Sequence, residues 1–133
     1  MTKEQNKQIV IRFNMEFFES GNTEITKELL ADAFINHTAS PDGPTDSSVM
    51  IKFIKGFHKG FSNIQVKIHE VLAENNMVSL RKTITATHTG DFMGKTATNK
   101  TVVMNVIEID ILAGGKITDH WSRNDIVQVI QGL

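Results

Sequence analysis

The 133-residue chain has no cysteine, only two prolines and a single tryptophan. Without cysteine there is no disulfide, no thiol nucleophile and no thiolate metal site, which fits a reducing compartment and makes the cytoplasm the expected location. Charge of one sign is also lacking: 14 Lys and Arg stand against 15 Asp and Glu, a net charge of -1. That balance offers no basic track for a phosphate backbone or an anionic lipid surface, so nucleic acid and membrane are not expected partners. No apolar run approaches the roughly 20 residues that cross a bilayer. The polar opening Met1-Thr2-Lys3-Glu4-Gln5-Asn6-Lys7 has no signal-peptide character. Repeats, low-complexity tracts and linker-like stretches are missing too, so one domain spanning 1–133 is expected.

What is present begins with helical periodicity. Ile9, Val10, Phe13, Phe17 and Phe18 recur at spacings of three and four, predicting a helix over about 2–20 that ends at Gly21. A short second helix is expected from Thr23, bearing Ile25, Leu29 and Leu30. Phe34-Ile35-Asn36-His37 is a brief apolar run before a loop holding Pro41 and Pro44. A third helix follows, capped by Asp46 or Ser47, with Val49, Met50, Phe53, Ile54, Phe57 and Phe61 as its apolar stripe.

After Asn63 the period drops to two. Ile64, Val66 and Ile68 alternate with polar residues, and a turn at Glu74-Asn75-Asn76 leads into a run where Val78, Leu80, Ile84, Ala86 and His88 share one parity. The segment from Gly90 to Lys100 breaks the alternation, with Asn99 suited to a left-handed backbone. Thr101 to Leu112 and a strand after Gly114-Gly115 complete the set, before a closing helix from Ile126. Helices first and strands after predict an α+β fold: a curved antiparallel sheet of four principal strands packed on N-terminal helices.

The strand after Gly115 holds the strongest chemical candidate. Ile117, Asp119 and Trp121 share a parity, and Asp125 follows where strand gives way to helix. A carboxylate beside an indole in a water-poor recess has its pKa pushed towards the range of a general base, which makes Asp125 a candidate catalyst and Trp121 its wall. The alternative is that Asp125 simply caps the last helix. His120 has the opposite parity and is expected to face outward or into an interface. Arg81, amid Thr83, Thr85 and Thr87, lies either on a solvated sheet face or, if bulges turn that face, in a polar pocket lining. No His, Asp and Glu group has metal-ligand spacing, and no phosphate loop or nucleophile elbow occurs.

The chain resembles the SnoaL-like polyketide cyclases of the nuclear transport factor 2-like superfamily. The residues that carry the resemblance are Phe13 and Phe17 in the opening helix, the loop after His37, Thr87-His88-Thr89-Gly90 with Phe92 and Gly94, Thr98 and Lys100, and Gly115-Lys116-Ile117 leading through His120-Trp121 to Asp125 and Gln131. The resemblance implies a cone-shaped α+β barrel with a mostly apolar cavity, assembled into homodimers or higher oligomers through the sheet. It implies acid/base chemistry on an apolar carbonyl-bearing small molecule, without a cofactor, in which the acid matched by Asp125 promotes an intramolecular aldol closure. It also sets His37 and His88 near the cavity mouth, so the expected binding residues are Trp121, His88, His37, Arg81 and Asp119. Two departures lie on one loop: Lys95-Thr96-Ala97 replaces a proline-rich turn, and Asn99 replaces a glycine. The ketosteroid isomerases of the same superfamily use a tyrosine that this chain does not have. A binding domain without turnover, or a hydrolase or isomerase using the same acid, are the alternatives on this fold.

Overall fold

The structure, a computed structural model, describes residues 1–133. Helix α1 spans Lys3–Phe13 and opens on a capping box between Thr2 and Gln5. It continues as a wider π-helical turn over Asn14–Glu19, so the predicted single helix has two windings. A 3-10 turn at Thr23–Ile25 passes into α2, Thr26–Leu29. Leu30, expected on that helix, instead starts strand β1, Leu30–Asn36. Helix α3 spans Ser48–Gly60, and Asp46 caps its approach by accepting bonds from the Ser48 backbone N–H and hydroxyl.

The strands are β2 Phe61–Glu74, β3 Met77–His88, β4 Thr101–Ala113 and β5 Lys116–Asn124, with a short α4 at Ile126–Gln131. The sheet has five strands in the order β1-β5-β4-β3-β2, one more than expected. The addition is β1, whose brief apolar run pairs in parallel with β5, Ile35 opposite Asp119. Local pattern could not reveal it, because a parallel partner almost ninety residues away leaves no hairpin signal. The long strands pair antiparallel, with Leu80 opposite Glu108. Asn99 does take the left-handed backbone, with φ 59°.

One face of the sheet is covered by the helices. Phe17, Val10, Ile54, Val78, Leu80 and Leu112 form one centre of the core, and Phe57, Phe61, Ile84, Ala86 and Met104 form the other. A buried Phe or Leu side chain contributes on the order of 1.5–3 kcal/mol, so each centre outweighs any surface ion pair many times. Gly60 is required where α3 turns into β2: a Cβ there would lie 2.7 Å from the Phe92 Cβ. No helix is long and apolar enough to cross a membrane.

Candidate functional site

Between the opening helical segment, α3, α4 and the inner face of the sheet lies a cavity of about 390 Å³. Phe17, Phe18, Val49, Met50, Phe53 and Ile54 form its apolar side, and Ile126 and Val127 of α4 close another edge. Asn36, Thr38, Ser122 and Asn124 line a polar wall. At its inner end stand Lys82, Glu108 and His120.

Strand parity brings these groups together. On β4, Met104, Val106, Glu108, Asp110 and Leu112 all point inward and are buried; two acids therefore interrupt an apolar row. On β3, Lys82 falls in the row of Val78, Leu80, Ile84, Ala86 and His88 and is 1% exposed. On β5, His120 sits directly opposite Asp110. Its Nδ1 lies 2.6 Å from Asp110 Oδ1 and 3.5 Å from Glu108 Oε2. Lys82 Nζ lies 3.2 Å from Glu108 Oε1, donates to Asn14 Oδ1 and stands 3.5 Å from the centre of the Phe18 ring.

The electrostatics of this group are those of two buried carboxylates divided by their neighbours. Burial alone would raise both. For Glu108 the Lys82 charge, then His120, outweighs burial and holds the carboxyl down to about 2. For Asp110, burial and then the Glu108 charge push it up to about 7. His120 is drawn down by burial, but the hydrogen bond and charge of Asp110, with Glu108 behind, carry it above its ordinary value. Asp110 and His120 are thus both raised, Asp110 by burial and the Glu108 charge and His120 by its bond to Asp110. Donor atoms of Glu108, Asp110 and His120 lie within 4.8 Å of one another. That is close enough to surround a cation, and the Lys82 ammonium already supplies one at their flank.

Several expected site residues lie elsewhere. Asp125 was expected at the inner end of a cavity beside Trp121, and the structure corrects this. The Asp125 carboxylate accepts bonds from the Asn105 backbone N–H at 2.7 Å and side-chain amide at 2.9 Å, on the outer face of β4. The Asn105 side-chain bond first, then the backbone bond, hold it below the usual carboxylate range. It stands at the start of α4 without a side-chain cap bond, so neither the base nor the cap reading describes its contacts.

Trp121 and Asp119 are also on the outer face. His37 stacks on Trp121, rings 4.2 Å apart and 6° from parallel, and its Nε2 lies 2.8 Å from Asp119 Oδ2. Arg81 is outside as well, bonded through Nε and Nη2 to Glu70. His88 is inside but away from the cavity, in the second core centre against Phe61, where Nδ1 accepts from the Thr98 backbone N–H.

A β-bulge explains the exchange of faces. Leu112 pairs with Ile117 and Ile111 with Asp119, so Thr118 is an extra residue in β5. Ile117 points inward as expected, but past the bulge every side chain is turned over: Asp119 and Trp121 go outward and His120 goes inward. Glu108, Asp110, Lys82 and Asn14 were missed outright. The signal was present, since each is a polar residue standing at an apolar position of its element's period.

The family model for SnoaL-like polyketide cyclases matches residues 8–133 of the sequence. The chain belongs to the SnoaL-like polyketide cyclase family. Solved structures of similar fold include AclR from Streptomyces galilaeus, 25% identical over 98% of each chain with a TM-score of 0.83. TsrD from Streptomyces laurentii is 15% identical, covering 100% of this chain and 99% of its own, also at 0.83. A SnoaL-like polyketide cyclase from Agrobacterium tumefaciens is 16% identical over 99% and 98%, at 0.70. Among curated proteins no sequence matches. The five-stranded curved sheet over N-terminal helices is thus the fold this family shares with its structural relatives.

Proposed function

We propose that this SnoaL-like protein catalyses proton transfer on an apolar, carbonyl-bearing small molecule, with His120 as acid and base and Asp110 as the group that orients it. The observation that carries this reading is the buried Asp110–His120 pair at the inner end of an apolar cavity. With Nδ1 committed to Asp110, Nε2 is the nitrogen left for a ligand. An intramolecular aldol closure follows directly. Nε2 takes a proton from the carbon next to a carbonyl, and that carbon bonds to a second carbonyl carbon of the same molecule. The alkoxide so formed takes the proton back from the imidazolium. The step is redox-neutral and consumes no second reactant.

The polar wall supports the same reading. Asn36, Ser122 and Asn124 bring amide and hydroxyl groups to the wall, which suits a developing enolate oxygen, while the Thr38 hydroxyl is held by the Ser122 backbone and Phe53, Met50 and Val127 suit an apolar ligand body. Asp125 is assigned an anchoring part: through Asn105 it ties the start of α4, which carries Ile126 and Val127, to β4. We further propose a homodimer through the outer sheet face, where Val103, Met77, Ile107 and Ile109 leave apolar surface in water, Ile107 being 54% exposed.

The test is solvent deuterium exchange at the α-carbon of α-tetralone, followed by NMR in D2O. The wild-type protein should accelerate exchange, His120→Phe should reduce that acceleration at least ~100-fold, and Asp125→Asn should leave it within a few-fold. Acceleration retained in His120→Phe would remove His120 from the mechanism.

A further inference from the structure

Lys82 lines the cavity, and a lysine at the inner end of an apolar pocket suggests a cation that grips the ligand's oxygen. Its surroundings point the other way. An ammonium has three N–H donors. One is given to Asn14 Oδ1, and another faces Glu108 Oε1 at 3.2 Å. The remaining side is closed by the Phe18 ring, its centre 3.5 Å away. We propose that Lys82 is an internal counter-ion and not a ligand-binding cation: the opening helical segment cages its ammonium so that Glu108 stays ionised beside the Asp110–His120 pair, with Asn14 as the positioning residue of the cage.

The cage is specified by sequence. Asn14 begins the π-helical turn and Phe18 lies four residues on, so the amide and the ring reach the same nitrogen from one winding. Asn14 is completely buried, and its Nδ2 donates to Val10 O at 2.9 Å. That bond fixes which end of the amide faces Lys82, because the opposite orientation would set a donor against the ammonium. Lys82 is paired with Val106 across the sheet, which makes Glu108 its diagonal neighbour on the same face. The charged groups that meet at the cage are Lys82 from β3, Glu108 and Asp110 from β4, and His120 from β5, with Asn14 and Phe18 facing them from the helical side.

The consequence reaches the reacting pair. Glu108 is 1% exposed, and against burial the largest influence keeping it ionised is the Lys82 charge, with His120 next. Without Lys82 the carboxyl would take up a proton, and His120 would lose one of the two anions that face it. The inference rests on the proposed reading only in making Asp110–His120 the reacting pair. The cage itself is testable without turnover, so its failure and that of the proposed reaction are separable.

The experiment is a carboxyl ¹³C NMR titration of Glu108 in the wild-type protein, Lys82→Met and Asn14→Leu. Glu108 should titrate below the ordinary range in the wild type. Its midpoint should rise by more than about two pH units in Lys82→Met and by a smaller step in Asn14→Leu. An unchanged midpoint in folded Lys82→Met overturns the proposal. If Lys82→Met does not fold, Lys82→Met combined with Glu108→Gln should recover a folded protein, because both charges then leave together. A double variant no more stable than Lys82→Met alone overturns it equally.

Discussion

His120 Nδ1 lies 2.6 Å from Asp110 Oδ1, and the two residues face each other directly across β4 and β5. The pair sits where its proton state is set by the protein more than by solvent: Asp110 is 1% and His120 7% exposed. The imidazole should therefore titrate above its ordinary value, since the Asp110 bond and the two carboxylate charges outweigh burial. ¹⁵N NMR of the ring nitrogens measures this. In Asp110→Asn the midpoint should fall, because a neutral amide no longer stabilises the imidazolium, and a midpoint that stays or rises would contradict the assignment.

Stability should depend on pH in a direction opposite to that of most small proteins. Asp110 is raised to about 7, so its contribution is fully present below the unfolded value of 3.8 and is lost as pH rises through 7. His120 is raised as well, and its contribution is lost as pH rises beyond 6.5 through the folded value. Glu108 acts in the other sense. Held down to about 2, it supports the fold above 4.5 and loses that support as acid is added. The melting temperature should peak at about pH 4–5 and decline towards pH 8. Asp110→Asn should flatten the decline between pH 5 and 7, and scanning calorimetry would reveal a slope that does not change.

Asp125→Ala should destabilise the protein by about 1–2 kcal/mol in urea denaturation. It removes two bonds to a charged acceptor at a half-buried site, where part of their strength is screened. The His120 titration should stay where it is. A shift in that midpoint on removing Asp125 would mean that the two sites communicate.

Ile107→Lys should convert the proposed dimer to monomer in sedimentation. Ile107 lies centrally on the outer face of β4, and an ammonium pressed against Val103, Ile109 and their copies has no partner there. A wild-type protein that is already monomeric at micromolar concentration would remove the proposal altogether.

The fold was legible because its long elements carry strong periods. Phe13 and Phe17 marked one helix, Phe53 and Phe57 another, and Val78, Leu80, Ile84 and Ala86 a strand whose buried face the structure bears out. Strand β1 was not legible, as its partner is remote in sequence and parallel. The site was misread for a narrower reason. A regular alternation through β5 runs across the extra residue Thr118 and so reverses every face beyond it. On β3 and β4 the alternation was regular, but Lys82, Glu108 and Asp110 were passed over because charge at an apolar position suggests an exposed face until burial is known.

Thr118 makes β5 a strand whose two histidine-side and tryptophan-side registers are separated by a single codon. Removing that residue would leave Ile117 opposite Leu112 and Asp119 opposite Ile111, so the bulge would close into a regular ladder and His120 would keep its place on the inner face. A one-residue deletion here is thus far gentler than one further along β5, which would turn over the rest of the strand. A gap of one at this place, between two related sequences, would keep matched residues on matched faces, whereas the same gap set a few residues on would assign them opposite ones.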